Sequence, residues 1–233
     1  MASMTPRSPR QWCGAGAAPA GTFSRKAILR PRPPEAARQI FARTAPDRSV
    51  GHDVEAGRVV SARIVGDVAR HQAGGDWLDV GFGNASLLFT AEEWGFHPVG
   101  LDLHSENAQA LKAVGYECYC APVEELDFPG RFSVVSMTDY LEGTPYPRIA
   151  LDAVHRLLRP GGVLFAAMPN MATMVWRLLD TGRENPFWGD IEHYHNFTRE
   201  RLFALLQTHG FRPAGYAVSE GRHSGMDVIA VKG

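Results

Sequence analysis

Hydrophobic and polar residues alternate regularly from residue 53 to the end of the chain. Short apolar runs are separated by longer stretches in which apolar residues recur every three or four positions. The short runs are typical of buried strands, and the longer stretches are typical of amphipathic helices. The first helical stretch ends before Gly74-Gly75. Its apolar positions are Val54, Val59, Val60, Ile64, Val65 and Val68.

Five predicted strands alternate with predicted helices in the central part of the chain. The strands are 77–80, 98–102, 116–120, 132–137 and 163–167. The helices between them are 85–94, 105–114 with Ser105 as its cap, and 148–158, which Arg159-Pro160-Gly161-Gly162 ends. This alternation predicts a parallel sheet, doubly wound, with helices on both faces.

The C-terminal part breaks the alternation. Thr198 can cap a helix over 199–209, and two strands, 212–218 and 226–231, follow without a helix between them. Consecutive strands with a short connection pair antiparallel. We therefore predict an α/β fold with a Rossmann-like, seven-stranded sheet whose last strand is antiparallel.

The first fifty residues have a different composition. They hold nine Arg or Lys but two acids, and seven of the sixteen prolines, with no helical or strand period. Such a segment buries too little apolar surface to order itself. We predict a disordered basic tail over 1–50 and one domain over 51–233. An organelle transit peptide and a basic arm that contacts an acidic surface remain alternatives for this tail.

Composition narrows the class of protein. The net charge of -1 argues against a nucleic-acid partner, and three cysteines exclude a disulfide scaffold. Cys118 and Cys120 lie on one face of a predicted strand, where we expect them in the core. The longest uncharged run, 161–176, is interrupted by Pro169 and Asn170, whereas a membrane span needs about 20 apolar residues. We expect a cytoplasmic protein, monomeric or homodimeric, with no membrane span.

A ligand site is predicted where the first two strands end, because doubly wound sheets bind ligands beyond their carboxyl ends. Gly81 and Gly83 follow the first strand, and Asp102, 21 residues after Gly81, ends the second, where it can accept both hydroxyls of a ribose. Asp79 suits a cationic or amino group and would repel a pyrophosphate, although it can also serve only as a loop cap. Ser86 stands where a dinucleotide site has its third glycine, which disfavours NAD.

Four segments together resemble the class I S-adenosylmethionine-dependent methyltransferases. They are Leu78-Asp79-Val80-Gly81-Phe82-Gly83-Asn84-Ala85, Gly100-Leu101-Asp102, Asp139-Tyr140-Leu141-Glu142 and Leu157-Leu158-Arg159-Pro160-Gly161-Gly162-Val163-Leu164. The sequence departs from the family pattern at three positions. Ala85 replaces a third glycine, Pro122 an aspartate that meets the adenine amine, and Gly143 a histidine.

The resemblance implies S-adenosylmethionine as cofactor and assigns residues to it. Asp79 would lie near the methionine amino group, Asp102 at the ribose and Leu103 at the adenine. The remaining implied cofactor residues are Gly81, Phe82, Gly83, Val123, Glu124, Met137 and Thr138. It implies methyl transfer to a hydroxyl of a small-molecule acceptor, with an amine as the weaker alternative. Two rival hypotheses stay open: an inactive S-adenosylmethionine-binding protein, and a Rossmann enzyme that binds NAD or a nucleotide sugar.

The segment 185–197 is dense in aromatic and titratable residues, and it resembles an E-H-x-H-x-F segment in one branch of these methyltransferases. His193 and His195 are candidate catalytic bases, because histidine titrates near neutrality, and Asp139 is a third catalytic candidate. Both histidines can instead order the loop through backbone hydrogen bonds. We assign no metal. A site built from Asp139, Glu142 and the two histidines is the weaker alternative, because Gly143 replaces the neighbouring histidine.

Overall fold

The computed structural model describes residues 23–24, 49–189, 193–219 and 224–233. The predicted tail therefore lies almost wholly outside the described residues. In these ranges the α-helices are α1 (Val54–Ala69), α2 (Ser86–Glu93), α3 (Ser105–Ala113), α4 (Pro147–Leu157), α5 (Met174–Gly182) and α6 (Arg199–Thr208). The strands in these ranges are β1 (Phe23–Ser24), β2 (Gly75–Val80), β3 (Phe96–Leu101), β4 (Glu117–Tyr119), β5 (Phe132–Thr138), β6 (Leu158–Pro169), β7 (His195–Asn196), β8 (Phe211–Val218) and β9 (Gly225–Lys232).

Seven of the described strands form one sheet in the order β4-β3-β2-β5-β6-β9-β8. The first five in this order pair parallel. β9 pairs antiparallel with both β6 and β8. The chain order reverses beside β2, which has β3 on one side and β5 on the other, so β2 and its neighbours form the switch point. The predicted α/β sheet with an antiparallel last strand is confirmed.

The two faces of the sheet carry separate hydrophobic clusters, because successive residues of a strand point to opposite faces. Leu78 and Val135 belong to a cluster with residues of α4 and α6. Trp77 and Val134 belong to the opposite cluster, with residues of α1 and α2. The prediction of helices on both faces is therefore confirmed.

Three local expectations were wrong. Cys120 is exposed, because β4 ends at Tyr119, whereas Cys118 is buried as expected. Ser105 is the first residue of α3 rather than its cap; the cap position belongs to His104. β6 begins at Leu158, five residues before the strand that we predicted over 163–167, and its ladder with β5 has a register shift between Phe132 and Val134.

The short strand β1 falls inside the predicted tail. Phe23 pairs antiparallel with Asn196, and Ser24 pairs with His195. This two-stranded ladder brings the backbone of the N-terminal segment to the segment that carries the candidate histidines. None of the helices that are described has the length and apolar content needed to span a membrane.

Candidate cofactor and acceptor site

The glycine loop after β2 has the conformation that its sequence predicts. Gly81 and Gly83 have φ angles of +74° and +55°, in the left-handed region that favours glycine. The Gly81 amide donates to the carbonyl of Leu101 at 2.7 Å, so the ends of β2 and β3 are joined. A Cβ on Gly83 would meet no atom within 4 Å. The loop thus presents open backbone at the switch point, as the approach of a ligand requires.

Ala85 adopts the same left-handed conformation as the glycines, with a φ angle of +66°. It stands where the family pattern has its third glycine. A side chain in this region costs roughly 1–2 kcal/mol, which an alanine tolerates more easily than a larger residue would. The loop therefore keeps a glycine-like backbone despite the substitution.

Phe82 is held on the inner side of the loop. Its side chain is buried in a small cluster with Leu88 and Leu111. A Cβ on Gly100 of β3 would lie 2.9 Å from its ring and 2.5 Å from Leu111. Only the backbone of Phe82 is therefore placed to contact a cofactor, while its ring fixes the loop against β3.

Asp79 is buried at the end of β2, directly below the loop. Its Oδ1 accepts a hydrogen bond from the Ser136 hydroxyl at 2.6 Å. Burial raises the pKa of Asp79 to about 7; the Ser136 hydrogen bond opposes this rise, and the negative charge of Asp102 adds to it. A cation that binds beside Asp79 would stabilise its ionised form.

Asp102 follows β3, as predicted, and is buried. Its Oδ1 accepts hydrogen bonds from the His104 amide at 2.8 Å and from its ring at 2.7 Å, while Oδ2 accepts from Asn107 at 3.2 Å. A carboxylate has about four acceptor positions, so one on Oδ2 is left beyond these bonds. To accept two ribose hydroxyls, Asp102 must give up one of its present partners.

The other implied cofactor residues divide into backbone and side-chain candidates. Val123 and Met137 are fully buried in the core, so only their backbone can face a ligand. Leu103 is half-buried and Glu124 is exposed. The Thr138 Oγ1 is buried and has no hydrogen-bond partner among the described residues. This free hydroxyl at the end of β5, together with the open loop and the two carboxylates, fits a cofactor that carries an ammonium group and a ribose.

The turn after β5 adjoins the glycine loop. Asp139 has a φ angle of +53°, and its amide donates to the carbonyl of Ala167 at 2.9 Å. The Tyr140 ring lies beside Gly81, where a Cβ would come within 3.8 Å of it. No role was predicted for Tyr140 from the sequence, although an aromatic residue next to a candidate acid at a strand end is a usable signal.

The segment with the candidate histidines lies against this turn. The amides of Tyr194 and His195 donate to the carbonyl of Glu142 at 2.7 Å and 3.1 Å. His195 is buried and its ring is tilted against Phe197 at 6.1 Å. The fold therefore brings the backbone of the histidine segment beside the segment that begins at Asp139.

Aromatic rings border the histidine segment. The His193 ring stacks on Phe187 at 5.9 Å, and Phe187 stacks on Trp176 at 4.8 Å. Trp188 donates from Nε1 to Asp180 Oδ1 at 2.6 Å. Trp176 lies on the buried face of α5, whereas the Met174 side chain of the same helix is 64% exposed. Trp176, Phe187 and His193 thus form one stack of rings, with the buried Trp176 at one end and His193 at the other.

No metal centre is formed by the residues that the structure describes. In the ranges 49–189, 193–219 and 224–233, no three His, Cys, Asp or Glu side chains come together as metal ligands.

Comparison with known proteins identifies the class. The profile of a family described as a methyltransferase domain matches residues 55–214, more than half of the chain. The chain belongs to this family, and residues 55–214 form a methyltransferase domain of the class I, S-adenosylmethionine-dependent type. The resemblance seen in the four sequence segments is thereby confirmed.

Individual relatives are more distant. The chain is 29% identical over 147 residues to a ubiquinone biosynthesis O-methyltransferase of Colwellia psychrerythraea. The matched stretch covers 58% of this chain and 60% of that protein. The chain thus spans about three fifths of this relative's length.

Solved structures show the same fold. A Burkholderia thailandensis 1,6-didemethyltoxoflavin-N1-methyltransferase, with bound 1,6-didemethyltoxoflavin and S-adenosylhomocysteine, has a TM-score of 0.66 at 21% identity, over 88% of this chain and 92% of that one. The PH0226 protein of Pyrococcus horikoshii has a TM-score of 0.64 at 15% identity, over 83% and 99%.

Proposed function

We propose that this methyltransferase acts on a hydroxyl group of a small, flat, aromatic molecule. The observation that carries the proposal is the placement of the histidine segment, through Glu142, against the turn at Asp139, beside the glycine loop. The name of the Colwellia relative, an O-methyltransferase of ubiquinone biosynthesis, supports an oxygen acceptor. The Burkholderia structure, whose enzyme methylates a nitrogen, keeps an amine as the second candidate.

The cofactor residues keep the roles that the resemblance implies. S-adenosylmethionine supplies a methyl group bonded to a positively charged sulfur. Asp79 would pair with its amino group, Asp102 with its ribose hydroxyls, and Thr138 with its methionine end. Gly81 and Gly83 would let the backbone approach without a Cβ clash.

The acceptor would bind between the glycine loop and His193, which lies at the end of the stack of Trp176, Phe187 and His193. A flat ring packs favourably against the end of an aromatic stack. His193 or His195 would take the proton from the acceptor hydroxyl as the oxygen–carbon bond forms and the sulfur–carbon bond breaks. Asp139, at the adjoining turn, would stabilise the protonated histidine. Holding the oxygen in line with the methyl group lowers the barrier most when both reactants are fixed.

The proposal is tested with a matched panel of acceptors. Phenols, catechols and the corresponding anilines are incubated with the full chain and methyl-labelled S-adenosylmethionine, and labelled product and S-adenosylhomocysteine are measured. We expect labelled ethers from the hydroxyl compounds and little product from the anilines. Transfer only to anilines would make the protein an N-methyltransferase. Cofactor binding without turnover on any acceptor would support the inactive alternative.

The base is tested by His193→Asn and His195→Asn. Removing a general base lowers kcat by roughly 10²- to 10⁴-fold, so we expect that loss in one of the two variants, with cofactor affinity retained. His97→Asn is the control, because His97 is 80% exposed and pairs with Asp76 at the opposite end of β2. Full activity in both variants would exclude a histidine base.

A further inference from the structure

A buried chain of hydrogen bonds runs beneath the glycine loop. Trp77 Nε1 donates to Ser136 Oγ at 2.8 Å, and the Ser136 hydroxyl donates to Asp79 Oδ1 at 2.6 Å. Trp77 and Ser136 are fully buried, and Asp79 is 3% exposed. The three residues lie on the adjacent strands β2 and β5, where Asp79 and Ser136 are directly paired.

When Asp79 is ionised, chemistry fixes the direction of each bond, because a carboxylate can only accept. An indole nitrogen can only donate, so Trp77 occupies a lone pair of the Ser136 oxygen. The single hydroxyl hydrogen of Ser136 is then left for Asp79, at 2.6 Å, in preference to the Leu78 carbonyl at 3.4 Å. Bonds in such a chain polarise and strengthen one another. The chain therefore favours the ionised form of Asp79.

Among the described residues, Asp79 has no ion-pair partner that would also favour its ionised form. The charged group that acts on it is Asp102, at the end of β3, and a second negative charge opposes ionisation. Burial opposes ionisation more strongly. Among the residues that the structure describes, Ser136 is thus the group that lowers the cost of a charged Asp79.

We propose that Ser136, oriented by Trp77, is a positioning residue that keeps Asp79 ready to bind the cofactor ammonium group. The proposal rests on the role of Asp79 given above and is independent of the acceptor. In the reaction that it implies, the O–H bond of the protonated carboxyl breaks, its proton passes to the solvent, and the carboxylate pairs with the ammonium. Cofactor binding then releases a proton when Asp79 starts out protonated.

The test is calorimetric titration of the full chain with S-adenosylmethionine from pH 5.5 to 7.5, in two buffers of different ionisation enthalpy. This range lies below the pKa of an α-amino group, about 7.7–8.0. Because the pKa of Asp79 is raised by burial to about 7, we expect wild-type affinity to rise by up to tenfold per pH unit and to level off near pH 7. The two buffers should report proton release at the acidic end.

Ser136→Ala removes the bond that favours the carboxylate. We expect its pH profile to move upward by about one unit, which lowers the affinity at pH 7 by up to tenfold. Trp77→Phe keeps a buried ring but leaves the hydroxyl free to turn, and should shift the profile in the same direction by less. Ser133→Ala is the matched control. Ser133 is an equally buried serine of β5, but its hydroxyl bonds to the backbone carbonyl of Asp76 at 3.0 Å.

The outcomes distinguish the positioning role of Ser136 from the cofactor-binding role of Asp79. An equal loss of affinity at every pH in Ser136→Ala, or no loss, would overturn the positioning role. If that variant does not fold, an unshifted profile in Trp77→Phe would do the same. Asp79→Asn tests the underlying assignment: wild-type affinity with an unchanged pH profile in this variant would show that Asp79 does not meet the cofactor.

Discussion

Asp102 is the residue on which the cofactor assignment depends most. Asp102 would accept one hydrogen bond from each of two ribose hydroxyls. A hydrogen bond to a charged group contributes about 1.5–3 kcal/mol to the binding free energy. We therefore expect Asp102→Ala to weaken S-adenosylmethionine binding by at least roughly 100-fold. The fold should survive, because the described residues that bond to this carboxylate, His104 and Asn107, are both near it in the chain. Calorimetry gives the affinity, and thermal melting followed by circular dichroism gives the fold.

Asn107→Ala is the companion variant. It removes one of the partners that Asp102 can give up to a ribose hydroxyl and leaves the carboxylate in place, so affinity should change by less than about tenfold in either direction. An Asp102→Ala protein that binds as tightly as wild type would show that the ribose assignment is incorrect.

Single residues also mark the limit of sequence reasoning. Asp79, Asp102 and the two glycines could be found because an acid or a glycine at a strand end stands out locally. Ser136 could not be assigned a partner, because only strand pairing places it opposite Asp79. Its side chain is one of three hydroxyls in β5, with Ser133 and Thr138, and the sequence does not distinguish it from the other two.

Among the elements, β2 and β3 are coupled through the packing of Phe82 on Gly100. Gly100→Ala would put a methyl group into the Phe82 ring and Leu111. Overpacking of this kind costs about 1–3 kcal/mol, a fall in Tm of roughly 3–10 °C. Because the displaced ring belongs to the glycine loop, cofactor affinity should fall as well.

Gly66→Ala, in α1, is the control for Gly100→Ala, because it makes the same substitution where there is room for the added methyl group. Its Cβ would lie 3.5 Å from Trp94, an ordinary contact, and alanine is favoured in a helix by roughly 0.5–1 kcal/mol. Its Tm should stay level or rise. Equal melting temperatures for both variants would contradict the packing role of Gly100.

The ladder of β1 and β7 makes a prediction about the N-terminal segment. Removal of residues 1–24 deletes β1, whereas removal of residues 1–20 keeps it. A backbone hydrogen bond contributes about 0.5–1.5 kcal/mol, so the longer deletion should raise the acceptor KM by roughly twofold to tenfold. The cofactor affinity should not change, since β7 belongs to the histidine segment, which borders the proposed acceptor position and not the proposed cofactor position. Steady-state kinetics on both truncations decide this, and identical KM values would mean that β1 has no part in the site.

For the molecule as a whole, the buried Asp79 lowers stability at neutral pH. In the unfolded chain this carboxyl has a pKa near 3.8, and burial raises the pKa to about 7 in the folded protein. Between these values the unfolded chain ionises while the folded protein keeps its proton, so stability is lost as the pH rises. The loss reaches several kcal/mol at most. Above pH 7 it stays constant.

Asp79→Asn removes this loss. Without cofactor, urea unfolding at pH 7.5 should show the variant to be the more stable protein, and the difference from wild type should shrink at pH 4.5. Asp127→Asn, at an exposed position, should change neither value. A variant less stable than wild type at pH 7.5 would mean that the Ser136 bond outweighs burial.

Local pattern determined the identity and the order of most elements, because strand and helix periods depend on residues close together in the chain. It also determined that glycines and acids meet at the ends of β2 and β3, since parallel strands end at the same edge. The antiparallel β9 followed from two strands without a helix between them.

Tertiary structure decided which groups touch. The pairing of β2 with β5 joins Asp79 to Ser136, the packing of Phe82 fills the space at Gly100, and the Glu142 carbonyl holds the histidine segment. The paired residues in these contacts lie far apart in the chain, so no local period encodes them. Their formation depends on which strand orders and loop positions bury the most apolar surface while satisfying the buried polar groups.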